Sequence, residues 1–168
     1  KSAIKIAEMA KKGVNSILIG STGYGSEGLS KLREYAHTIG ILAAPNLSRG
    51  VDLLFRLTEL AAEQGCDYEV GIVEAHHKWK QDAPSGTAER IRQILKERGG
   101  LDDVQTLSLR LSDIPGRHTV ILAGKGEILE ISHQAVTRRA FASGVPLAVK
   151  FLDQMRNGLF SFQDCVDF

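Results

Sequence analysis

Two adjacent histidines, two lysines and a Pro-Ser-Gly-Thr run stand close together in the string Glu74-Ala75-His76-His77-Lys78-Trp79-Lys80-Gln81-Asp82-Ala83-Pro84-Ser85-Gly86-Thr87-Ala88. The histidines follow a run with strand character, residues 68–75. If the strand persists they point to opposite sides, so one can face a ligand while the other packs. Ser85 is well placed as the N-cap of a helix reaching to about residue 98. The N–H groups of Gly86 and Thr87 would then be free donors. With the hydroxyls of Ser85 and Thr87 they make a ready site for an anion such as a carboxylate. Lys80 can supply the balancing charge. Taken singly, a capping serine is commonplace, and Lys78 and Lys80 are what any solvated surface carries. The combination is hard to explain by packing. A metal site is the competing chemistry, but the histidine pair lacks the i, i+4 geometry, and His118 and His133 are the other candidates in the same lobe. No metal is expected.

The elements that position this string follow from the apolar pattern. Residues 2–12 put Ala3, Ile6, Ala7 and Ala10 on one helical face, and Gly13 ends that helix. Residues 14–19 form a continuous apolar strand of the kind buried in a parallel sheet. A Gly-rich turn over 20–28, a helix over about 27–37, a strand over 39–43 and an amphipathic helix over 48–64 come next. The last of these has Val51, Leu54, Phe55, Leu57 and Leu60 as its apolar side. This order belongs to a doubly wound, mostly parallel sheet. Past Gly65 the pattern changes. A strand and the Ser85 helix precede three strands at 104–111, 119–123 and 127–132, whose short turns suggest antiparallel or mixed pairing. A final helix is expected over 138–155. The expected fold class is therefore α/β: a partial parallel-sheet lobe plus an α+β lobe with a mixed sheet of about four strands.

Composition narrows the partners. Lys and Arg number 21 against 20 Asp and Glu, which leaves almost no net field and gives no reason to expect nucleic acid or an anionic membrane. No apolar run approaches the ~20 residues that span a bilayer. The N-terminus has no apolar signal core, lacks an initiating Met and starts inside a helix. Cys66 and Cys165 are far apart and read as free thiols in a reducing, cytoplasmic compartment.

The string around His76 resembles the signature of the 4-hydroxy-tetrahydrodipicolinate reductase (formerly dihydrodipicolinate reductase) family of the bacterial and plant lysine pathway. Further matches follow in family order. Ile19-Gly20-Ser21-Thr22-Gly23 resembles the Gly-Thr-Thr-Gly cofactor loop, and Ala44-Pro45-Asn46-Leu47-Ser48 the Ala-Pro-Asn-Phe-Ser loop. Pro115-Gly116-Arg117-His118-Thr119, Glu130-Ile131-Ser132-His133, and Arg138 with Phe141-Ala142-Ser143-Gly144 extend the likeness over nearly the whole chain. The resemblance implies a Rossmann-type cofactor lobe, with residues 1–46 and 138–168 as its remaining part and 47–137 as the substrate-binding and oligomerisation domain. It implies His76 as general acid/base and Lys80 as a second proton-donating or charge-stabilising group. His77, Gly86 and Thr87 would hold the carboxylates of a small cyclic dicarboxylate substrate. Gly20, Ser21 and Thr22, with Ala44, Pro45, Asn46 and Leu47, would touch the nicotinamide end of NADH or NADPH. A homotetramer is implied. Elementary chemistry agrees: hydride addition to an unsaturated ring conjugated to a carboxylate builds negative charge that a nearby His can discharge by proton transfer.

Some departures stand beside the matches. The family opens with a strand and a Gly-x-x-Gly-x-Met-Gly turn for the pyrophosphate, and then a residue that reads the adenosine ribose. Neither occurs before residue 14, so the chain reads as starting at about the third or fourth α/β unit, and NADH is not separated from NADPH. Gly23-Tyr24-Gly25-Ser26-Glu27-Gly28 fits G-x-G-x-x-G, but no acidic residue ends the following strand and the turn aligns with the nicotinamide-side loop. It is not expected to bind pyrophosphate. Leu47 stands where an aromatic residue is common, Ser21 replaces a Thr, and Ser112 stands where Gly is usual. Two rivals remain: a dicarboxylate-binding regulatory module that has lost hydride transfer, and a domain that serves assembly alone.

Overall fold

The computed structural model describes residues 2–21, 24–64 and 67–168, so Lys1, Thr22, Gly23, Gly65 and Cys66 lie outside the described residues. The chain divides into two compact units, residues 1–49 with 141–168, and residues 50–140. The fold class is the expected one, a parallel-sheet unit together with a mixed four-stranded unit.

In the first unit β1 (Ser16–Ile19), β2 (Gly40–Ala43) and β7 (Gly158–Phe160) form a parallel sheet in the order β1-β2-β7. Ile41 and Leu42 alternate across the central strand, and each is fully buried in a different cluster. Ile41 packs with Ala7, Leu32 and Tyr35 from α1 (Ser2–Ala10) and α2 (Gly25–Tyr35). Leu42 packs with Ala148, Phe151 and Phe162 from α5 (Val145–Gln154) and α6 (Phe162–Val166). Helices thus cover both faces, which is why β2 is apolar without alternation.

The second unit has the strand order β4-β3-β5-β6: Gln105–Arg110, Glu69–His76, Arg117–Gly124 and Glu127–Gln134. β3 and β4 are parallel, joined through α4 (Gly86–Gly99), and the other pairs are antiparallel. Ile72, Val120 and Leu122 face Leu54 of α3 (Arg49–Glu63) and Ala88, Ile91 and Leu95 of α4. The alternate residues Val73, Ala75, Leu109, Thr119 and Ile121 line the opposite face, over which no described element of the unit packs.

Several expectations need correction. Ala7 and Ala10 of α1 are buried as expected, but Ile6 is exposed. Leu57 and Leu60 are exposed on α3. Thr58 goes in, its hydroxyl donating to the Leu54 carbonyl at 2.7 Å. The expected helix over 138–155 is broken: a 3₁₀ turn at Arg138–Ala142 is followed by α5 from Val145. Pro146 lies in the first turn of α5, where its missing N–H costs nothing, whereas inside a longer helix it would break the ladder. Gly144 donates to the Leu47 carbonyl at 2.8 Å, and a Cβ there would meet that oxygen at 2.4 Å. β7 and α6 went unpredicted. Ser112 has φ +44°, which explains why glycine suits the position.

Ile91 is fully buried between α4 and the sheet. Ile91→Ala is expected to lower unfolding free energy by about 2–5 kcal/mol. Urea denaturation followed by circular dichroism measures it, and a loss under ~1 kcal/mol would show that this core relaxes freely.

Candidate active site

β3 is an interior strand, and alternation places Ile72, Glu74 and His76 on its helix-covered face. Pairing sets their partners. His118 of β5 is the Cα partner of Glu74, and Arg110 of β4 that of His76. Glu74 has no exposed surface, and His118 is almost completely buried. A charge so placed must be answered. Arg110 answers it with a two-pronged contact, Nη1 to Oε2 at 2.9 Å and Nη2 to Oε1 at 2.7 Å. The Ser85 N–H donates to Oε1 at 3.3 Å, and His76 Nδ1 lies 2.5 Å from Oε2. Burial alone would raise the Glu74 pKa. Hydrogen bonds from Arg110, Ser108 and His76 outweigh burial and hold the carboxyl at about 2.

The connection from β3 to α4 carries the rest. Ser85 caps α4, its Oγ accepting from the Ala88 N–H at 3.2 Å and lying 2.8 Å from His118 Nε2. Gly86 and Thr87 open α4, so their N–H groups have no intrahelical partner, and the space beside the Gly86 Cα is open. Lys80 lies near His76 but is paired with Asp82 at 2.7 and 2.8 Å. His77 is half-buried, and its Nδ1 is buried with no partner among the described residues. The His77 ring centroid is 5.9 Å from that of Trp79, over which the Lys78 ammonium sits at 4.9 Å. His76, His77, Lys80, Ser85, Gly86 and Thr87 therefore share one end of one unit.

Burial lowers the His76 pKa. Glu74 pulls it back up, and the charges of Lys80 and Arg110 push it down, leaving it below the ordinary value. His118 is pushed down to about 3, chiefly by burial and then by the charge of His76. His76 and His118 meet edge-on with centroids 5.1 Å apart. Donor atoms of Glu74, His76 and His118 lie within 4.8 Å of one another, a set different from the His118 and His133 weighed in the sequence. Both carboxylate oxygens already accept from the guanidinium, and His118 Nε2 is engaged by Ser85. The residue that sequence reasoning missed is Arg110. The available signal was a glutamate inside an apolar strand, which requires a cation on a neighbouring one.

In the first unit Gly20 and Ser21 leave β1, and Ala44, Pro45, Asn46 and Leu47 leave β2. The strands are adjacent and parallel, so both segments sit at the carboxyl ends, where open α/β sheets bind ligands. Gly20 and Ser21 are exposed, and the space beside the Gly20 Cα is open. Ala44 donates to the Ile19 carbonyl at 2.9 Å, and Asn46 Oδ1 accepts from the Ser48 N–H at 2.9 Å. The backbone N–H and carbonyl of Leu47 are both engaged, with Phe141 and Gly144. Thr22, the remaining expected cofactor contact, lies outside the described residues, as does the Gly23 end of the Gly-rich turn. Cys165 is a buried free thiol, and Cys66 falls outside the described residues.

A parallel sheet with open strand ends, and a second unit whose buried histidines adjoin a helix N-terminus, define a two-unit α/β protein. The chain belongs to the dihydrodipicolinate reductase family, whose description "Dihydrodipicolinate reductase, C-terminus" matches residues 50–166. It is 37% identical over 188 residues to 4-hydroxy-tetrahydrodipicolinate reductase of Syntrophus aciditrophicus, covering 100% of this chain and 70% of that protein. The enzyme of the same name from Campylobacter curvus is 36% identical, with 99% and 73% covered. That from Nitrosomonas europaea is 41% identical, with 95% and 66% covered. The chain thus spans about two thirds of the length of these relatives, which are named as reductases. The fold is shared with a structure described as dipicolinate-bound dihydrodipicolinate reductase from Paenisporosarcina sp. TG-14. Its TM-score is 0.79 at 24% identity, over 95% of this chain and 68% of that one.

The depressed pKa values set an acid limb of stability. Below about 6.5 the unfolded chain protonates at His118 while the native chain does not, so stability falls from there and the contribution is gone by about pH 3. Glu74 adds a second loss between its ordinary 4.5 and about 2. His118→Gln is expected to flatten the limb between pH 6.5 and about 3, leaving a remainder from His76 and His133 and, below 4.5, the loss from Glu74. Urea midpoints across pH read this, and an unchanged slope would place the native His118 near its ordinary pKa.

Proposed function

We propose that this chain supplies the substrate-binding and proton-donating part of a reductase that converts 4-hydroxy-tetrahydrodipicolinate, NAD(P)H and a proton to tetrahydrodipicolinate, NAD(P)+ and water, in lysine (diaminopimelate) synthesis. The observation that carries this reading is that His76, with Lys80 beside it, is tied through Glu74 to Ser85, the cap of α4. The dipicolinate bound to the structural neighbour is a planar dicarboxylate of the kind such a site suits. In this reading Gly86 and Thr87 hold one substrate carboxylate through N–H groups and the Thr87 hydroxyl, with Ser85 keeping the helix start in place. His77 and Lys80 hold the other. Lys80 then exchanges Asp82 for the substrate, which keeps its charge compensated at every stage. His76 gives a proton to the carbon that gains electron density.

A nicotinamide cofactor supplies a hydride when bound. Gly20, Ser21, Thr22, Ala44, Pro45, Asn46 and Leu47 would hold its reacting end. The exposed backbone of residues 20–21 and the open space at Gly20 fit that role. The first unit is assigned the cofactor and the second the substrate and assembly. Among the described residues no helix is long and apolar enough to cross a membrane. The proposed place in lysine synthesis supports a cytoplasmic assignment.

The substrate site has a direct test. Titration of pyridine-2,6-dicarboxylate into the chain should release heat, with affinity falling as salt rises. His77→Ala should weaken binding roughly tenfold, as loss of a charge-assisted contact does. In a catalytically competent reductase built on this chain, His76→Ala should lower kcat roughly 10²-fold or more and change KM less. No heat of binding, or a near-normal kcat, would overturn the assignment. Dicarboxylate binding without turnover in the competent assembly would favour the regulatory module instead.

The uncovered sheet face carries the assembly reading. Leu107 and Leu109 on it are 57% and 36% exposed, and Val73, Ala75 and Ile121 adjoin Leu109 there. One-sided sheets with an apolar second face are stable when that face is buried against a partner. The exposed face supports a homo-oligomer built face to face or edge to edge through this sheet, and the resemblance to the family makes a homotetramer the proposed state. Light scattering at micromolar concentration should give a multimer that Leu109→Glu reduces to smaller species. A wild-type chain that is wholly monomeric removes the proposal.

A further inference from the structure

His76 is held by a carboxylate that solvent does not reach. Each oxygen of Glu74 has at least two donors, Arg110 Nη2 and the Ser85 N–H on Oε1, Arg110 Nη1 and His76 Nδ1 on Oε2, and Ser108 adds a further hydrogen bond to the carboxyl. An ionised carboxylate only accepts hydrogen bonds, so the nitrogen facing it must carry a hydrogen. Arg110 is itself pinned: Nη2 also donates to the Asp82 carbonyl at 2.6 Å and Nη1 to the Leu109 carbonyl at 2.7 Å. The pair therefore ties β3, β4 and the connection bearing Lys80 into one rigid support.

We infer that Glu74 and Arg110 are the positioning residues for His76, the carboxylate fixing the imidazole as the Nδ1–H tautomer so that Nε2 alone exchanges the reaction's proton. This rests on His76 being the proton donor proposed above. In the donating step the Nε2–H bond breaks, its electron pair stays on Nε2, and the imidazolium becomes the neutral Nδ1–H form. Nothing has to move at Glu74. Arg110 has the second task. A lone buried carboxylate would keep the imidazole charged, whereas a cancelled one orients the ring and still lets it release its proton. The groups facing His76 are Glu74 from β3, Arg110 from β4, His118 from β5 and Lys80 from the following connection, and only Glu74 favours the charged ring.

The test is nitrogen-15 NMR of the histidine-labelled chain across pH. The wild type should show His76 as one neutral tautomer, Nδ1–H, with protonation appearing at Nε2. An Nε2–H tautomer, or shifts averaged between the two forms, overturns the inference without any variant. Glu74→Gln should lose the single tautomer, because its amide donors face Arg110 or the His76 Nδ1–H. Arg110→Gln should keep the tautomer and move the His76 titration upward by ~1–2 units, since the carboxylate is then uncompensated. A bridge that serves stability alone would lower the melting temperature in both variants and leave tautomer and titration unmoved, which also overturns it. The same spectra separate the two readings. A fixed tautomer with His76 and His77 signals unmoved by pyridine-2,6-dicarboxylate supports the positioning role and removes the substrate assignment. A dicarboxylate response with an averaging tautomer removes the positioning role alone.

Discussion

Glu74 is a carboxylate without exposed surface in an interior strand, and its charge has to be answered by whatever folds around it. Leaving such a group unpaired costs several kcal/mol, so the strand partners of β3 are chosen as much by this requirement as by apolar packing. β4 must run parallel to β3 in the register that sets Arg110 beside His76, and β5 antiparallel in the register that sets His118 opposite Glu74. A slip of one residue on β4 would send Arg110 to the uncovered face and bring a leucine to the carboxylate. The ion pair therefore specifies register. The hydrophobic cluster under α3 and α4 supplies the stabilisation that makes burying it tolerable.

The same carboxylate links the sheet to the helix start. Ser85 donates its backbone N–H to Glu74 and lends its hydroxyl to Ala88 and His118. The residue that caps α4 is thus anchored to the strand that carries the histidines. The unspent N–H groups of Gly86 and Thr87 owe their position relative to His76 to this anchor, and not to the flexible length of the connection. Ser85 alone would have been an ordinary cap. What sets it apart is that every polar atom it offers is used.

The legibility of this arrangement in the sequence follows the range of the interactions. Features set by neighbours along the chain were readable: the Ser85 cap, the apolar strands β1 and β2, and the turn signals that gave the mixed sheet. Arg110 was not, because on its own strand it is one polar residue in a regular alternation, and its meaning comes from Glu74, 36 positions away. The break before α5 was missed for a similar reason. Residues 138–155 contain enough apolar positions for a helix, but Gly144 is pressed against Leu47 and Phe162, contacts that no local pattern displays. On α1 and α3 the helical period was right and the expected faces held in part. Ala7, Ala10, Val51 and Leu54 go inward as expected and Thr58 joins them, while Ile6, Leu57 and Leu60 remain outside. The family resemblance singled out residues 76–88 as the candidate site. It could not show that Lys80 rests on Asp82.

The electrostatic logic of the site follows from these pairings. A dianionic ligand approaching His76 would meet an uncompensated Glu74 as a repulsive charge in a medium of low polarisability, where such terms are least screened. With Arg110 in place the carboxylate presents no net charge. The field at the start of α4 is then set by the helix dipole, Lys80 and any proton on the histidines. Asp82 plays the matching part for Lys80 while no ligand is bound, since it is exposed enough to be solvated when the ammonium turns away. Burial disfavours the charged form of His76, and a dianion bound beside it would favour that form, so binding of the ligand and of the proton would be coupled. A carboxylate that orients, a guanidinium that cancels it and a histidine left free to change charge form one coupled unit. The rigid β3–β4 register allows that unit to work without moving its frame.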